Sequence, residues 1–217
     1  MSTMTIENTA GTPRRRQARS AATRTALLDA ALAEFAAHGF EGASTRAIAA
    51  AAGTHQPQIN YHFDSKEELW REAVDHLFAR LDDTVGRHLR DTPSAIDDRT
   101  RFARGIRAFA RAAAELPELN RIMVQEATID SDRLRWIVER HTRPRFETLI
   151  ADWRGLRAVG KVPDVDEVVL YYSLVGAASL AYVNAPEARL LGHDTLSASF
   201  IDAHAEALVA LFLGGPA

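Results

Sequence analysis

The segment STRAIAAAAGTHQPQINYHF, residues 44–63, is the most informative part of this chain. It contains two short apolar-patterned segments, about 45–52 and 56–63, on either side of Gly53. Ser44 is a candidate N-cap for the first segment. Pro57 suits the first turn of the second, where a backbone N–H has no helical partner. Two short helices joined at a glycine predict a helix-turn-helix.

The second of these helices has two chemically different faces. Ile59 and Phe63, together with Ile48 of the first helix, would fix the angle between the two helices. The remaining face is polar and carries Gln56, Gln58, Asn60, Tyr61 and His62. Amide, phenol and imidazole groups are the donors and acceptors that contact base edges and phosphates in a major groove. The face therefore predicts DNA recognition.

Two longer helices flank this motif. The preceding helix, about residues 20–38, ends at Gly39. The following helix begins with Ser65 and Glu68, which are spaced as a capping box. Lys66 lies in its first turn, where a cation opposes the helix macrodipole. A DNA phosphate at this position would turn that cost into an attraction.

These residues resemble the DNA-binding signature of TetR-family regulators. The resemblance covers about residues 24–70 and includes His38-Gly39-Phe40, Gly53 and Ser65-Lys66-Glu67-Glu68-Leu69. It implies that Thr45 and Arg46 of the second helix contact phosphates. It also implies that the third helix contacts bases through Gln56, Pro57, Gln58 and Asn60, and that the DNA backbone is contacted by Tyr61, His62 and Lys66. For His62, a plain packing role is the alternative.

Three residues depart from the family pattern. Thr54 replaces an apolar residue and His55 replaces a Ser-type cap, which puts the rigidity of the turn in question. Asn60 stands where Tyr is common. Because asparagine can bond adenine in a bidentate way, this change indicates a different operator preference.

The composition supports a helical protein. The 217 residues are rich in Ala, Leu and Arg, and long stretches lack Gly and Pro. The absence of cysteine excludes disulfides, thiolate metal sites and a cysteine nucleophile. We expect an all-α protein with an N-terminal three-helix helix-turn-helix domain and a larger C-terminal helical domain, and the TetR-family resemblance implies that this larger domain serves ligand binding and dimerisation. The expected divisions are a disordered basic arm (1–22), the DNA-binding domain (23–70) and the ligand-binding and dimerisation domain (71–217).

Charge is concentrated at one end of the chain. The net charge of −3 argues against a general polyanion binder, yet residues 1–24 contain five arginines and one glutamate. This arm is either a solvated tail or a segment that lies along phosphates or in the minor groove. The first 22 residues contain no apolar signal region, and the apolar run Val168 to Val183 is shorter than the about 20 residues of a membrane span. We therefore expect a cytoplasmic protein without a membrane partner.

The same apolar run predicts a homodimer. A helix that is apolar on all sides must be covered all round, by a domain core on one side and a partner subunit on the other. The alternative is a deeply buried core helix in a monomer. The expected interface, from this helix and the last one, comprises Leu174, Ala178, Ala181, Ile201, His204 and Leu208.

The resemblance implies a small-molecule pocket within the C-terminal helices. Glu126 and His141 fall on otherwise apolar helix stripes, and a buried charge needs a partner. They either recognise a ligand or form a satisfied internal contact. For the apolar members of the expected lining, ordinary core packing is the alternative. The expected lining comprises Phe102, Ile106, Phe109, Met123, Glu126, Trp136, His141, Tyr171 and Tyr172.

Together these features predict a ligand-responsive transcription regulator. Its partners would be a double-stranded DNA operator and a small-molecule effector, and it would act as a repressor released from a pseudo-palindromic operator, although the sequence does not decide between repression and activation. No Gly-rich phosphate loop, nucleophile elbow or paired metal motif occurs. We therefore expect no enzyme activity, catalytic residues, cofactor or metal. The competing interpretations are a helical enzyme and a protein-interaction module that has lost DNA binding.

Overall fold

The computed structural model describes residues 13–91, 93 and 95–214, with side chains from residue 17 onward. Every regular element within these residues is helical, which confirms the all-α prediction. The helices are α1 Pro13–Gly42, α2 Thr45–Ala51, α3 Gln56–His62, α4 Lys66–Leu89, α5 Asp98–Glu115, α6 Pro117–Ala127, α7 Asp132–Ile137, α8 Arg143–Ala158, α9 Glu167–Val183, α10 Ala185–Leu190 and α11 Ala198–Leu213. The chain divides into two compact units between Val74 and Asp75, so α4 contributes residues to both.

The first helix is longer than the sequence predicts at both ends. It begins at Pro13, so residues 13–22, expected to be disordered, are helical. The expectation of disorder for residues 1–12 lies outside the described part of the chain. Gly39 interrupts α1 with φ of 69°, a left-handed conformation that glycine adopts without steric cost, and the helix resumes to Gly42.

The turn between α2 and α3 is short and well bonded. Gly53 has φ of 66°, and the N–H of Thr54 donates to the carbonyl of Ala49 at 2.9 Å. Ile48, Ala49 and Ile59 are buried against the rest of the first unit. Each of the two short helices thus buries one face and leaves its opposite face exposed to solvent.

The second unit has a core between four helices. Buried side chains of α5, α8, α9 and α11 meet there, among them Phe102, Trp153, Leu174 and Leu208. Two ion pairs at the surface join α5 to α11. Arg107 contacts both carboxylate oxygens of Glu206 at 2.7 Å, and Arg111 contacts Asp202 at 2.8 Å.

A π-helical turn separates α7 from α8. The sequence predicts one helix over about 131–156 with a kink at Pro144, whereas the chain widens over Val138–Thr142. The N–H of Arg143 donates to the carbonyl of Val138, five residues back. Pro144 has no N–H with which to continue the ordinary ladder, which accounts for the wider turn immediately before it.

Candidate functional site

The start of α2 is fixed by two hydrogen bonds at Ser44. The Ser44 hydroxyl accepts from the N–H of Ala47 at 3.3 Å, which is the predicted N-cap. The N–H of Ser44 donates to the carboxylate of Glu34 in α1 at 3.0 Å. A helix capped by its own serine and tied to α1 presents its outer side chains in a defined orientation.

The side chains expected to contact DNA lie on the open side of α2, α3 and the first turn of α4. Tyr61 is 74% exposed, whereas Ile59, in the same short helix, is 3% exposed. Gln56 also donates to the Thr45 hydroxyl at 3.4 Å, which links α3 to α2. Of the nine expected residues, Arg46, Gln56, Pro57, Gln58, Asn60 and Tyr61 are exposed, and Thr45, His62 and Lys66 are half-buried.

His62 and Arg24 have structural contacts as well. The His62 ring packs edge-on against Tyr61, and burial, with a smaller effect of Arg24, lowers the pKa of the His62 ring. Arg24 forms an ion pair with Glu72, and its guanidinium carbon lies 5.5 Å from the centre of the Phe63 ring. Arg24, counted in the basic arm by the sequence analysis, therefore braces the helix-turn-helix.

Lys66 is held at the junction of two helix ends. Its ammonium group donates to the carbonyl of Glu41 in the last turn of α1 at 3.2 Å and lies 5.0 Å from the centre of the Phe40 ring. A cation is favourable at a helix C-terminus, so α1 offsets the unfavourable macrodipole of α4. The Ser65 hydroxyl caps α4 by accepting from the N–H of Glu68 at 3.0 Å.

A large cavity lies within the second unit. Its volume is about 920 Å³, and its walls come from α4, α5, α6, α8 and α9 with one residue of the π turn. Five expected lining residues are present in its wall: Phe102, Ile106, Phe109, Met123 and Tyr171. Sequence reasoning missed a larger set of lining residues, because an apolar stripe facing a cavity has the same pattern as one facing a core. The main missed residues are Phe78, Leu81, Val85, Leu149 and Leu156.

The other four expected residues are not part of the cavity wall. Glu126 is buried, but its carboxylate pairs with Arg133 at 3.1 Å, so the internal-pair alternative describes it. Tyr172 is 70% exposed, so of the two expected tyrosines only Tyr171 is among the residues that line the cavity. Burial raises the pKa of the Tyr171 phenol.

Trp136 and His141 pack together and are not among the residues that line the cavity. The His141 ring stacks on Phe78 at 4.2 Å between centroids and meets Trp136 edge-on at 5.4 Å. Its Nε2 atom lies 2.7 Å from a carboxylate oxygen of Asp75. Burial lowers the pKa of His141 and outweighs the opposing effect of Asp75.

Half of the expected dimer interface lies inside the subunit. Leu174, Ala178 and Leu208 are buried in the core of the second unit, so they cannot contact a partner. Their assignment is wrong because α9 is apolar on every side, and the sequence does not show which side faces the core. The other three, Ala181, Ile201 and His204, are half-buried.

His204 joins α11 to α9 through a partly buried hydrogen bond. The hydroxyl of Tyr182 lies 2.8 Å from its Nδ1 atom. Burial raises the pKa of Tyr182 to about 12 and lowers the pKa of His204. The pair therefore stays uncharged at neutral pH and belongs to the packing between these helices.

An exposed apolar strip runs along the outer side of α9. It consists of Val168, Val169, Tyr172 and Leu180, each at least half exposed. Leu211 of α11 is 76% exposed. None of the described helices is long and apolar enough to span a membrane. Because exposed apolar patches often mark contact surfaces, the exposure of these side chains makes the strip a candidate for contact with another protein surface.

Comparisons with known proteins agree with this architecture. Residues 27–73 match the family model described as bacterial regulatory proteins, tetR family. A TetR-family transcription regulator from Marinobacter aquaeolei is 19% identical with a TM-score of 0.66, and the alignment covers 90% of this chain and 98% of that one. No protein with a curated function matches the chain in sequence.

Two similar structures contain ligands. The transcriptional regulator FadR from Bacillus subtilis, in complex with stearoyl-CoA, is 16% identical with a TM-score of 0.60 over 88% of this chain and 99% of that one. AibR, in complex with isovaleryl coenzyme A and operator DNA, is 19% identical with a TM-score of 0.61 over 89% and 100%. Residues 27–73 thus match the helix-turn-helix of the tetR family, and the chain as a whole shares its fold with solved structures that include a TetR-family regulator.

Proposed function

We propose that this protein is a ligand-responsive repressor that binds a pseudo-palindromic operator as a homodimer. The observation that carries the proposal is the polar outer face of α3. Its orientation is fixed by the hydrogen-bonded turn after α2 and by the Ser44 N-cap of α2. Ile59 is buried while Gln56, Gln58 and Asn60 are exposed. Such a face is suited to the major groove, where amides can pair with base edges.

Contacts to the DNA backbone would surround this face. Thr45 and Arg46 lie at the start of α2, and Tyr61 and His62 lie at the end of α3. The Lys66 ammonium sits at the N-terminus of α4, which is itself favourable for a phosphate. In the proposal these five residues set the position of the protein on the duplex, while Gln56, Pro57, Gln58 and Asn60 read the sequence.

The homodimer would form through the exposed strip of α9 together with α11. Val168, Val169, Tyr172 and Leu180 form a surface without a charged side chain, and covering it would bury apolar area. Ala181, Ile201 and His204, half-buried in the subunit, would border that interface. A two-fold dimer presents two recognition helices, which requires an operator with two inverted half-sites.

The effector would occupy the cavity of the second unit. A volume of about 920 Å³ with mostly apolar walls suits an extended apolar molecule. The similar structure from Bacillus subtilis holds stearoyl-CoA, which also has an extended apolar chain. We infer an effector with a long hydrocarbon or ring system.

Helix α4 would couple effector binding to DNA release. Its residues 66–74 belong to the first unit and carry Lys66, whereas Phe78, Leu81 and Val85 line the cavity. A ligand that binds better to a state with a displaced α4 disfavours the DNA-bound state by the same free energy. A coupling of about 1–3 kcal/mol weakens operator binding roughly 5–150-fold.

The test measures operator affinity with and without a bound compound. Compounds are first selected for thermal stabilisation of the protein, since a ligand of the folded state raises its melting temperature. Fluorescence anisotropy on the operator duplex then gives the Kd in each state. The proposal expects a weaker Kd with ligand; an equal Kd contradicts release by ligand, and a tighter Kd indicates a ligand that promotes DNA binding.

Three substitutions distinguish the proposed function from the alternative of a protein-interaction module that has lost DNA binding. Replacing Gln58, Asn60 and Lys66 by alanine removes two amides and one cation from the face. The proposal expects operator binding to be lost while the helical content is unchanged. Unchanged binding to the same duplex would favour the protein-only alternative.

A further inference from the structure

Five charged side chains line the otherwise largely apolar cavity. Three are carboxylates and two are guanidinium groups, and their pairing determines which charge a ligand would meet; they are Asp82, Asp98, Arg101, Arg145 and Asp152. Because the cavity lies within one unit, its charge can be considered on its own.

Arg145 is fully engaged by the protein. Its Nη2 atom lies 2.7 and 2.6 Å from the two carboxylate oxygens of Asp82, and Nη1 donates to the carbonyl of His141 at 2.8 Å. Its guanidinium carbon also lies 4.8 Å from the centre of the Phe78 ring. An anionic ligand would have to displace Asp82 to gain this arginine, and the displaced carboxylate would remain beside it.

Arg101 is also paired. Its Nη1 atom lies 2.5 Å from the carboxylate of Asp98, three residues earlier in α5, and Nη2 donates to the carbonyl of Ile96 at 3.3 Å. Both side chains are more than half exposed, so the pair is weak. Arg101 is therefore the residue through which an anionic ligand would have to bind.

Asp152 differs from the other four charges. Within the described part of the chain, it has no hydrogen bond or ion pair, while both arginines of the cavity have carboxylate partners. It lies one turn of α8 from the lining residues Leu149 and Leu156. The charged lining therefore carries one excess negative charge, located on Asp152.

Aromatic rings add to this preference. Phe78, Phe102, Phe109 and Tyr171 all line the cavity, and the faces of aromatic rings attract cations. An organic cation could thus contact rings and approach Asp152. A carboxylate or phosphate would face the excess negative charge with both arginines already paired.

We propose that the effector is a lipophilic cation: an extended apolar molecule whose single positive charge pairs with Asp152. This inference rests on the proposed function for the role of the cavity, and it specifies the charge of the ligand. It also separates this chain from the structure that holds stearoyl-CoA, whose ligand carries phosphates.

The test uses three probes with the same twelve-carbon chain and different head groups. Dodecyltrimethylammonium, 1-dodecanol and dodecanoate are titrated below their micelle concentrations into the full-length protein at low ionic strength, by calorimetry. The expected order of affinity is cation, then neutral, then anion, with the cation about threefold or more above the alcohol.

Two variants place the charge effect at Asp152. Asp152→Asn is expected to weaken binding of the ammonium probe about threefold and to leave 1-dodecanol unchanged. Glu147→Gln is the matched control, since Glu147 is an exposed carboxylate on the same helix but outside the cavity lining, and it should leave all affinities unchanged.

Two further variants test the location. Gly105 and Gly155 line the cavity, and a Cβ atom at either position would meet no atom within 4 Å. Gly105→Trp, or independently Gly155→Leu, should therefore fill the cavity and abolish binding of all three probes while circular dichroism stays helical. Two positions are used so that misfolding of one variant does not decide the result.

Several results would overturn the inference. If dodecanoate binds most tightly and Arg101→Gln abolishes its binding, the cavity holds an anion site. If Asp152→Asn and Glu147→Gln change the affinity for the ammonium probe equally, Asp152 is not the residue that pairs with the cation. Absence of binding by all three probes, or binding that survives both cavity variants, would also overturn it. None of these results bears on operator binding, which is measured on duplex DNA without the probes and decides the proposed function separately.

Discussion

Lys66 occupies a position where one cation serves two purposes. In the free protein it bonds the end of α1 through Glu41, and in the proposed complex it would also attract a phosphate to the start of α4. Its ammonium has three donors, so both contacts can be made at once.

Lys66→Ala is expected to weaken binding of specific and random duplexes by a similar factor. The salt dependence of log Kd should also fall by about one phosphate contact. Anisotropy titrations at several salt concentrations measure both quantities. Lys161→Ala, at the other lysine of the chain, is the control. A change confined to one DNA sequence would show instead that Lys66 reads bases.

His141 makes stability depend on pH. Because burial lowers its pKa, the folded chain keeps the ring neutral at pH values where the unfolded chain has bound a proton. Its contribution is complete above the unfolded pKa of about 6.5 and declines as the pH falls toward the lowered value. The loss is at most about 1.4 kcal/mol per pH unit for one group.

His141→Gln should therefore reduce the difference between the free energies of unfolding at pH 7.5 and pH 5.5. Urea denaturation at the two pH values gives this difference. His193→Gln, at an exposed histidine, is the control. If the wild type and His141→Gln lose the same stability on acidification, His141 is not the responsible group.

Residue positions near the helix-turn-helix could be predicted, whereas those of the cavity could be predicted only in part. In α3, burial of Ile59 fixes which neighbours face outward, so sequence spacing is sufficient. Glu126 and Arg133 lie on different helices, and their pairing depends on how α6 and α7 pack. Spacing along one helix does not contain that information.

At the scale of elements, local sequence signals predict where the short helices begin and end. They do not predict features that depend on packing between helices. Ser44, Gly53 and Pro117 mark helix boundaries through capping, a left-handed turn and the geometry of proline, all of which are local. From the sequence, Ser94 is also a candidate N-cap for α5, because serine side chains accept from free N–H groups at helix starts; this residue lies outside the described part of the chain. Asp97 caps α5 by accepting from the N–H groups of Arg99 and Thr100. The π turn depends on the fit between α7 and α8 and has no local signal beyond Pro144.

Gly105 lies inside α5, and Gly160 follows α8 with φ of 69°. Gly105→Ala should raise the free energy of unfolding by about 0.5–1 kcal/mol, because alanine favours the helix and meets no neighbour. Gly160→Ala should lower it by about 1 kcal/mol, because an alanine is strained at positive φ. Urea denaturation of the two variants checks the signs; a loss of stability in Gly105→Ala would mean that its surroundings are tighter than the structure shows.

At the scale of the whole molecule, the exposed strip of α9 is the feature that a single chain leaves unexplained. The sequence predicted that α9 needs cover on two sides, and the structure accounts for one of them through the core of the second unit. The remaining side holds the exposed strip. The prediction of a homodimer therefore now depends on different residues from those first assigned.

Leu180→Arg should shift the protein from dimer to monomer, because it places a charge in an apolar interface. Operator affinity should fall with it, since a monomer reads only one half-site. Sedimentation velocity and anisotropy measure the two effects. Val159→Arg, an exposed apolar residue beyond the end of α8, is the matched control. A wild type that sediments as a monomer, or a Leu180→Arg variant that remains dimeric, would contradict this interface.

The central claim is that the polar face of α3 reads a specific DNA sequence. The direct measurement is selection of duplexes from a random library by the full-length protein, at a stated salt concentration, with wild type and Asn60→Ala in parallel. The account predicts enrichment of one inverted repeat by the wild type and a changed or lost preference in Asn60→Ala, since each good base contact is worth about 1–3 kcal/mol. Enrichment of no sequence, or the same sequence with the same affinity in both proteins, would contradict it.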